Sequence, residues 1–77
     1  MGEDKYKLEL SELGKRIRSI RKRKDLTQLD LELTSGINNG DISRIENGQK
    51  NLEFITIVKL ADALGVELYE LFKKVKE

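Results

Sequence analysis

Asn39, Gly40, Ser43 and Arg44 combine residue types and a spacing that suit one kind of chemistry. If their segment is helical, these four positions project from one side of it. An asparagine amide pairs bidentately with adenine, a guanidinium with guanine, and a serine hydroxyl with several bases. The surrounding stretch, TQLDLELTSGINNGDISRIENG from Thr27 to Gly48, supplies the means of presenting such a face. Leu31, Ile37, Ile42 and Ile45 are its apolar positions, and Gly36 marks a tight turn between two short helices. Two helices that cross steeply through such a turn place the second in the DNA major groove. The spacing therefore predicts a chain that binds duplex DNA.

Other chemistries find little support. The chain has no cysteine and no histidine, so the ordinary zinc ligands, disulfides and the usual catalytic imidazole are all missing. No nucleophile stands beside a base, and no glycine-rich phosphate loop appears. We expect no enzyme, no cofactor and no metal. No apolar run approaches a membrane span, and Met1 to Leu10 lacks the apolar core of a signal peptide. A cytoplasmic, nucleoid-associated protein is the expectation.

Net charge is only +1, so total charge says nothing for nucleic acid. Its distribution says more. Lys15, Arg16, Arg18, Arg21, Lys22, Arg23 and Lys24 fall between Leu13 and Lys24 with no acidic residue among them. Such a run can hold phosphates. It can equally be a solvated helix face whose last turn matches the macrodipole.

The elements that must position these residues read as five helices in one all-α domain. A chain of 77 residues buries only about 60% of its unfolded surface, enough for a small helix bundle. Residues 1–10 read as an N-terminal extension and 11–77 as the domain. Leu10, Leu13, Ile17 and Ile20 mark one face of a first helix from about Ser11, its N-cap, to Lys24, with a break at Asp25 and Leu26. Thr27 caps helix two, with Asp30 completing a capping box, and Gly36 ends it. Asn38 caps helix three, with Asp41 three positions on, and Gly48 stops it. Phe54, Ile57, Leu60, Ala61 and Leu64 give the stripe of helix four, ended by Gly65; Leu68, Leu71, Phe72 and Val75 line a last helix. Leu29, Leu31 and Leu33 alternate with acids at the period of a strand, but no second strand exists to pair with them. Helix is preferred there, with Leu29 and Leu33 on a face that Leu31 does not share.

At this point the residues resemble a known family. LGKRIRSIRK, the LTQ opening of helix two, SG at the turn, ISRIENG through helix three and LADALGV closing helix four occur in that order. Together they are similar to the Xre-type helix-turn-helix domain of phage repressors, Cro and restriction-modification controller proteins, over roughly Leu13 to Phe72. The resemblance implies a compact five-helix, phage-repressor-like DNA-binding domain that acts as a homodimer on a partly palindromic operator, with helix 38–47 in the major groove.

Carried over by position, Gln28 resembles the glutamine that bonds a phosphate and braces the recognition helix. Asn38, Asn39, Gly40, Ser43 and Arg44 match DNA-facing positions, although Asn38 also has its cap role. Asn47, Lys50 and Asn51 fall in a loop that meets phosphate in the family, or is simply solvated. Arg21 and Glu46 match a pair that joins helix one to the end of helix three, with donors of Arg21 left over for a phosphate. Val66, Leu68, Tyr69 and Phe72 are either the dimer surface or the closing edge of the monomer core, with Leu71 and Val75 turned inward.

The chain departs from the family at several positions. Glu32 stands where a small residue is usual. Leu29 and Leu33 replace polar residues; they are read as cover under Tyr6 and Leu8, the alternative being the RNA polymerase contact that some members make from this side. Gly40 offers no side chain, and Asp41 would repel phosphate unless held at the cap. Near-neutral charge and the Gly40-Asp41 step keep a rival open: a protein-protein interaction module of the same fold with little DNA specificity.

Overall fold

The computed structural model describes residues 2–73. Four α-helices are followed by a short 3-10 helix: α1 Gly2–Arg23, α2 Gln28–Ser35, α3 Asn39–Glu46, α4 Phe54–Leu64, and the 3-10 helix Leu68–Phe72. The chain is all-helical over these residues. The count of five α-helices is corrected to four, because the last element has only five residues between Glu67 and an extended Lys73. Val75, placed on that last helix, lies outside the described residues.

The first helix also differs from expectation. It begins at Gly2 instead of being capped by Ser11, so from Gly2 onward residues 2–10 are its opening turns. Nothing in EDKYKLEL breaks a helix, and Lys, Glu and Leu all favour one. At its other end Asp25 takes the left-handed conformation, φ 58°, a role that glycine fills more cheaply. The Leu26 N–H then reaches back to the Arg21 carbonyl at 3.0 Å and closes the helix end.

Both caps of the central unit form. Thr27 Oγ1 accepts from the Asp30 N–H at 3.0 Å, and Asp30 Oδ2 accepts from the Thr27 N–H at 2.8 Å. Gly36 ends α2 at φ 79°, and Asn38 Oδ1 accepts from the Asp41 N–H at 2.8 Å to start α3. Local chemistry thus fixes both sides of the turn between the two short helices.

The core comprises Leu13, Ile17, Ile20, Leu31, Ile42, Ile45, Leu60, Ala61, Leu64 and Leu71. Helix α1 packs against α3, α4 and the 3-10 helix, and α2 packs against α3 and α4. Phe54, expected on the inward stripe of the fourth helix, is exposed, and so is Phe72, which was open between dimer surface and core edge. Phe54 opens α4 before its apolar side meets the core at Leu60, Ala61 and Leu64. Nor do Tyr6 and Leu8 cover Leu29 and Leu33: all four are exposed, Leu33 at 77%, and α1 makes no close backbone approach to α2.

Close approach of α1 to α3 depends on Gly14. A Cβ there would stand 2.3 Å from the Ile45 carbonyl oxygen and 2.6 Å from that of Glu46. The loop after α3 crosses α1 as tightly, since a Cβ on Gly48 would meet Ser11 Cα at 2.8 Å.

Candidate nucleic-acid interface

Helix α3 shows opposite characters on its two sides. Ile42, Ile45 and Glu46 are buried, while Asn38, Asn39, Gly40 and Arg44 are exposed and Ser43 is half-buried. The periodicity behind the expected polar face is therefore the periodicity that buries the other side. Asn47 and Asn51 are exposed in the following loop, and Lys50 is half-buried there.

Glu46 anchors this helix from beneath. Arg21 clamps it bidentately, Nε donating to Oε2 at 2.7 Å and one Nη to Oε1 at 3.0 Å. The other Nη of Arg21 donates to the Leu26 carbonyl at 2.9 Å, and Gln28 Nε2 donates to Glu46 Oε1 at 3.1 Å. One buried carboxylate thus joins α1, α2 and α3. Its hydrogen bond to Arg21 raises the guanidinium above its ordinary pKa, against the opposing cost of burial. Every buried side-chain nitrogen or oxygen among the described residues has a partner. This is the condition under which a buried ion pair is tolerated.

The N-terminus of α3 is held from two directions. Asn38 uses both ends of its amide, accepting from the Asp41 N–H and donating to Asp41 Oδ2 at 3.3 Å. Glu32, the departure on α2, reaches across the turn, and its Oε1 accepts from the Asn39 N–H at 2.9 Å. A carboxylate suits that place, because free N–H groups and the helix dipole both favour negative charge. No spacing rule ties position 32 to position 39, so the sequence carried no signal of this bond.

Asp41 is the residue on the outer face with most contacts. Its carboxylate accepts from an Nη of Arg44 one turn on, and Lys50 Nζ lies 3.7 Å from the same oxygen. The Arg44 hydrogen bond holds the Asp41 carboxyl below the usual aspartate range. At Gly40 an added Cβ would meet Asn38 Oδ1 at 3.3 Å, a tight approach to the oxygen that caps the helix.

The basic run of α1 divides. Arg16 is buried and its Nε donates to the Leu71 carbonyl, tying α1 to the 3-10 helix, and Arg21 is buried under Glu46. Lys24 Nζ donates to the Gly65 carbonyl at 3.3 Å. Lys15, Arg18, Lys22 and Arg23 remain on the exposed surface. Arg16 and Arg21 each fall three or four residues from an apolar position of the buried stripe, but exposed Arg23 lies three from Ile20 as well, so spacing alone does not separate them. Of the residues considered for a dimer surface, Val66 and Leu68 pack partly against the chain's own core, whereas Tyr69 and Phe72 are exposed. Among the described residues no helix is long and apolar enough to cross a membrane, and no cluster of acidic, histidine or cysteine side chains could hold a metal.

A helix-turn-helix family model matches residues 17–71. The chain is 39% identical over 59 residues to an uncharacterised HTH-type transcriptional regulator, y4dJ, of Sinorhizobium fredii, covering 77% of each. Its fold is similar to that of the restriction-modification controller protein C.AhdI from Aeromonas hydrophila. The TM-score is 0.80 at 40% identity, over 82% of this chain and 96% of that one. It is also similar to the controller protein C.Esp1396I, solved as a tetramer with its natural 35 base-pair operator. There the TM-score is 0.73 at 29% identity, over 83% of this chain and 95% of that one.

Proposed function

Because the chain belongs to the helix-turn-helix family, whose matched members are transcriptional regulators and controller proteins and not enzymes, we propose that it is a sequence-specific reader of duplex DNA. The observation that carries this reading is the two-sided character of α3: a polar outer face on a helix whose inner face is locked by Glu46 to both neighbouring helices. A helix entering the major groove must keep its angle while its side chains meet bases, and this brace supplies that rigidity. Helix 38–47 is the element that enters. Asn39 and Arg44 are the base readers, with Ser43 and the Gly40 backbone close to the bases. Asn38 serves first as the cap. Gln28, Asn47, Lys50 and Asn51 meet phosphates, which position the protein without carrying sequence. Arg21 retains N–H groups beyond those the brace uses, and these are its means of meeting a phosphate.

One short helix rarely gives enough specificity alone. We therefore expect a homodimer on a partly palindromic operator, with half-sites about 34 Å apart. Tyr69 and Phe72, flanked by Val66 and Leu68, are the surface we assign to it. The operator-bound tetramer of the similar controller protein supports assembly of this kind. Leu29 and Leu33, both exposed on α2, are the surface on which RNA polymerase would be met. A second reading, a protein-interaction module, is favoured by one observation, the pairing of Arg44 and Lys50 with Asp41. Selection from a pool of random duplexes separates the two. Recovery of a partly symmetric sequence is the expected result, and recovery of none would leave the interaction module.

A further inference from the structure

Asp41 stands where its charge should be harmful. It is in the first turn of α3, between groups proposed to approach an anionic duplex, and phosphate would repel it. Yet its two oxygens have separate employment. Oδ2 accepts from the Asn38 amide at the cap, and Oδ1 holds Arg44 and lies 3.7 Å from Lys50. Asp41 is the more buried partner in both ion pairs, so the cations come to it and not it to them. Only one of the guanidinium's N–H groups is needed for this bond, and a planar fork of five donors keeps enough to pair bidentately with a guanine edge.

We propose that Asp41 is the specificity-determining partner of Arg44. It positions the guanidinium for one base pair, and it keeps Arg44 from settling on whatever phosphate is within reach. On a correct site Arg44 donates to the base while retaining Asp41. On an incorrect one Arg44 must leave the carboxylate to gain a phosphate, and the carboxylate, without its guanidinium, then faces the DNA. Asp41 therefore weakens non-specific binding more than specific binding. The inference rests on the chain's being a DNA reader and adds to that reading the means by which one arginine becomes selective.

The test compares the full chain with Asp41→Asn, Arg44→Ala and the double variant on the selected operator and on random duplex, with unfolding midpoints checked alongside. The cap itself uses the Asp41 backbone N–H, which every such variant retains. Asp41→Ser, smaller and also uncharged, guards against an effect peculiar to asparagine. Both Asp41 variants are expected to bind random duplex more tightly. Their ratio of specific to non-specific affinity should fall at least about five-fold, the lower end of what one bidentate base contact contributes. The base preference they lose should be at the base pair that Arg44→Ala also relaxes, and Asp41→Asn should change no preference in the Arg44→Ala background. Equal tightening on both DNAs would reduce Asp41 to a bare charge and overturn the proposal. Loss of preference at a different base pair would overturn it too, by making Asp41 a reader in its own right. A wild-type chain that selects no sequence at all would instead remove the DNA-reading assignment on which the proposal rests.

Discussion

Glu46 shows how a single residue can link stability to recognition. Its carboxylate is buried with the Arg21 guanidinium, and Gln28 completes its set of partners. Truncating one member of such a pair leaves a buried charge uncompensated, at about 3–5 kcal/mol. That is a large share of the roughly 5–15 kcal/mol that holds a domain together. Arg21→Ala should therefore lower the unfolding midpoint of the free protein, before any DNA is added. Arg21→Ala combined with Glu46→Ala should cost less than the two single losses added, because the double variant strands no charge. Strict additivity in thermal or urea unfolding would mean that the pair contributes no coupling in solution.

At the scale of the element, the glycines and the caps make different demands. Gly36 needs only its left-handed backbone, since an added Cβ would find nothing within 4 Å. Gly36→Ala should cost about 1–2 kcal/mol, the penalty for an ordinary residue in that conformation, and leave the fold intact. Gly14 has an ordinary helical place but no room, because the obstacle is the backbone of α3 itself. Gly14→Ala should separate α1 from α3 and be much the more damaging, measured side by side by circular dichroism and urea unfolding. Comparable losses would show that α1 and α3 can yield.

The capping box of α2 makes a prediction in pH. The Thr27 backbone N–H, and then its hydroxyl, hold the Asp30 carboxyl below the ordinary aspartate value. A carboxyl whose pKa is lower in the folded state adds stability that is complete above its unfolded pKa of about 4 and is lost as pH falls through the folded value. Wild type should accordingly exceed Asp30→Asn in stability at neutral pH, with the gap closing as the solution is acidified through that range. Parallel acid-unfolding curves for the two proteins would show that the box is not held by charge.

For the whole molecule, the proposed homodimer needs a surface on which two copies meet. Tyr69 is 62% exposed and Phe72 52%, three positions apart on the same 3-10 helix, and Lys73 Nζ lies 5.3 Å from the Tyr69 ring centre. A second apolar feature adjoins them, a groove of about 440 Å³ whose walls include Tyr6, Leu10, Leu13 and Phe72. The two surfaces share Phe72 but differ in their tyrosine, so substitution distinguishes them. Tyr69→Lys should shift sedimentation from dimer toward monomer at matched concentration, and Tyr6→Lys should not. The reverse result would move the interface to the groove, and an unaltered dimer in both would place it elsewhere.

The sequence alone determined what depends on neighbours along the chain. Thr27 with Asp30, Asn38 with Asp41, and the glycines at 36, 48 and 65 set the ends of the short helices, because a cap is a contact between residues a few positions apart. The inward side of α3 was legible for the same reason, being a matter of helical period. Tertiary structure decided the charges. Within one basic run, Arg16 and Arg21 are buried and Lys15, Arg18, Lys22 and Arg23 are not; the difference lies in partners 55 and 25 residues away, the Leu71 carbonyl and Glu46. Glu32 at the Asn39 N–H, and Gly14 beneath the α3 carbonyls, belong to the same class. Phe54, Leu29 and Leu33 are exposed against expectation, because periodicity says which residues share a face, not whether another element covers it. Covering a face requires a second surface at the right height, and only the packed helices supply one.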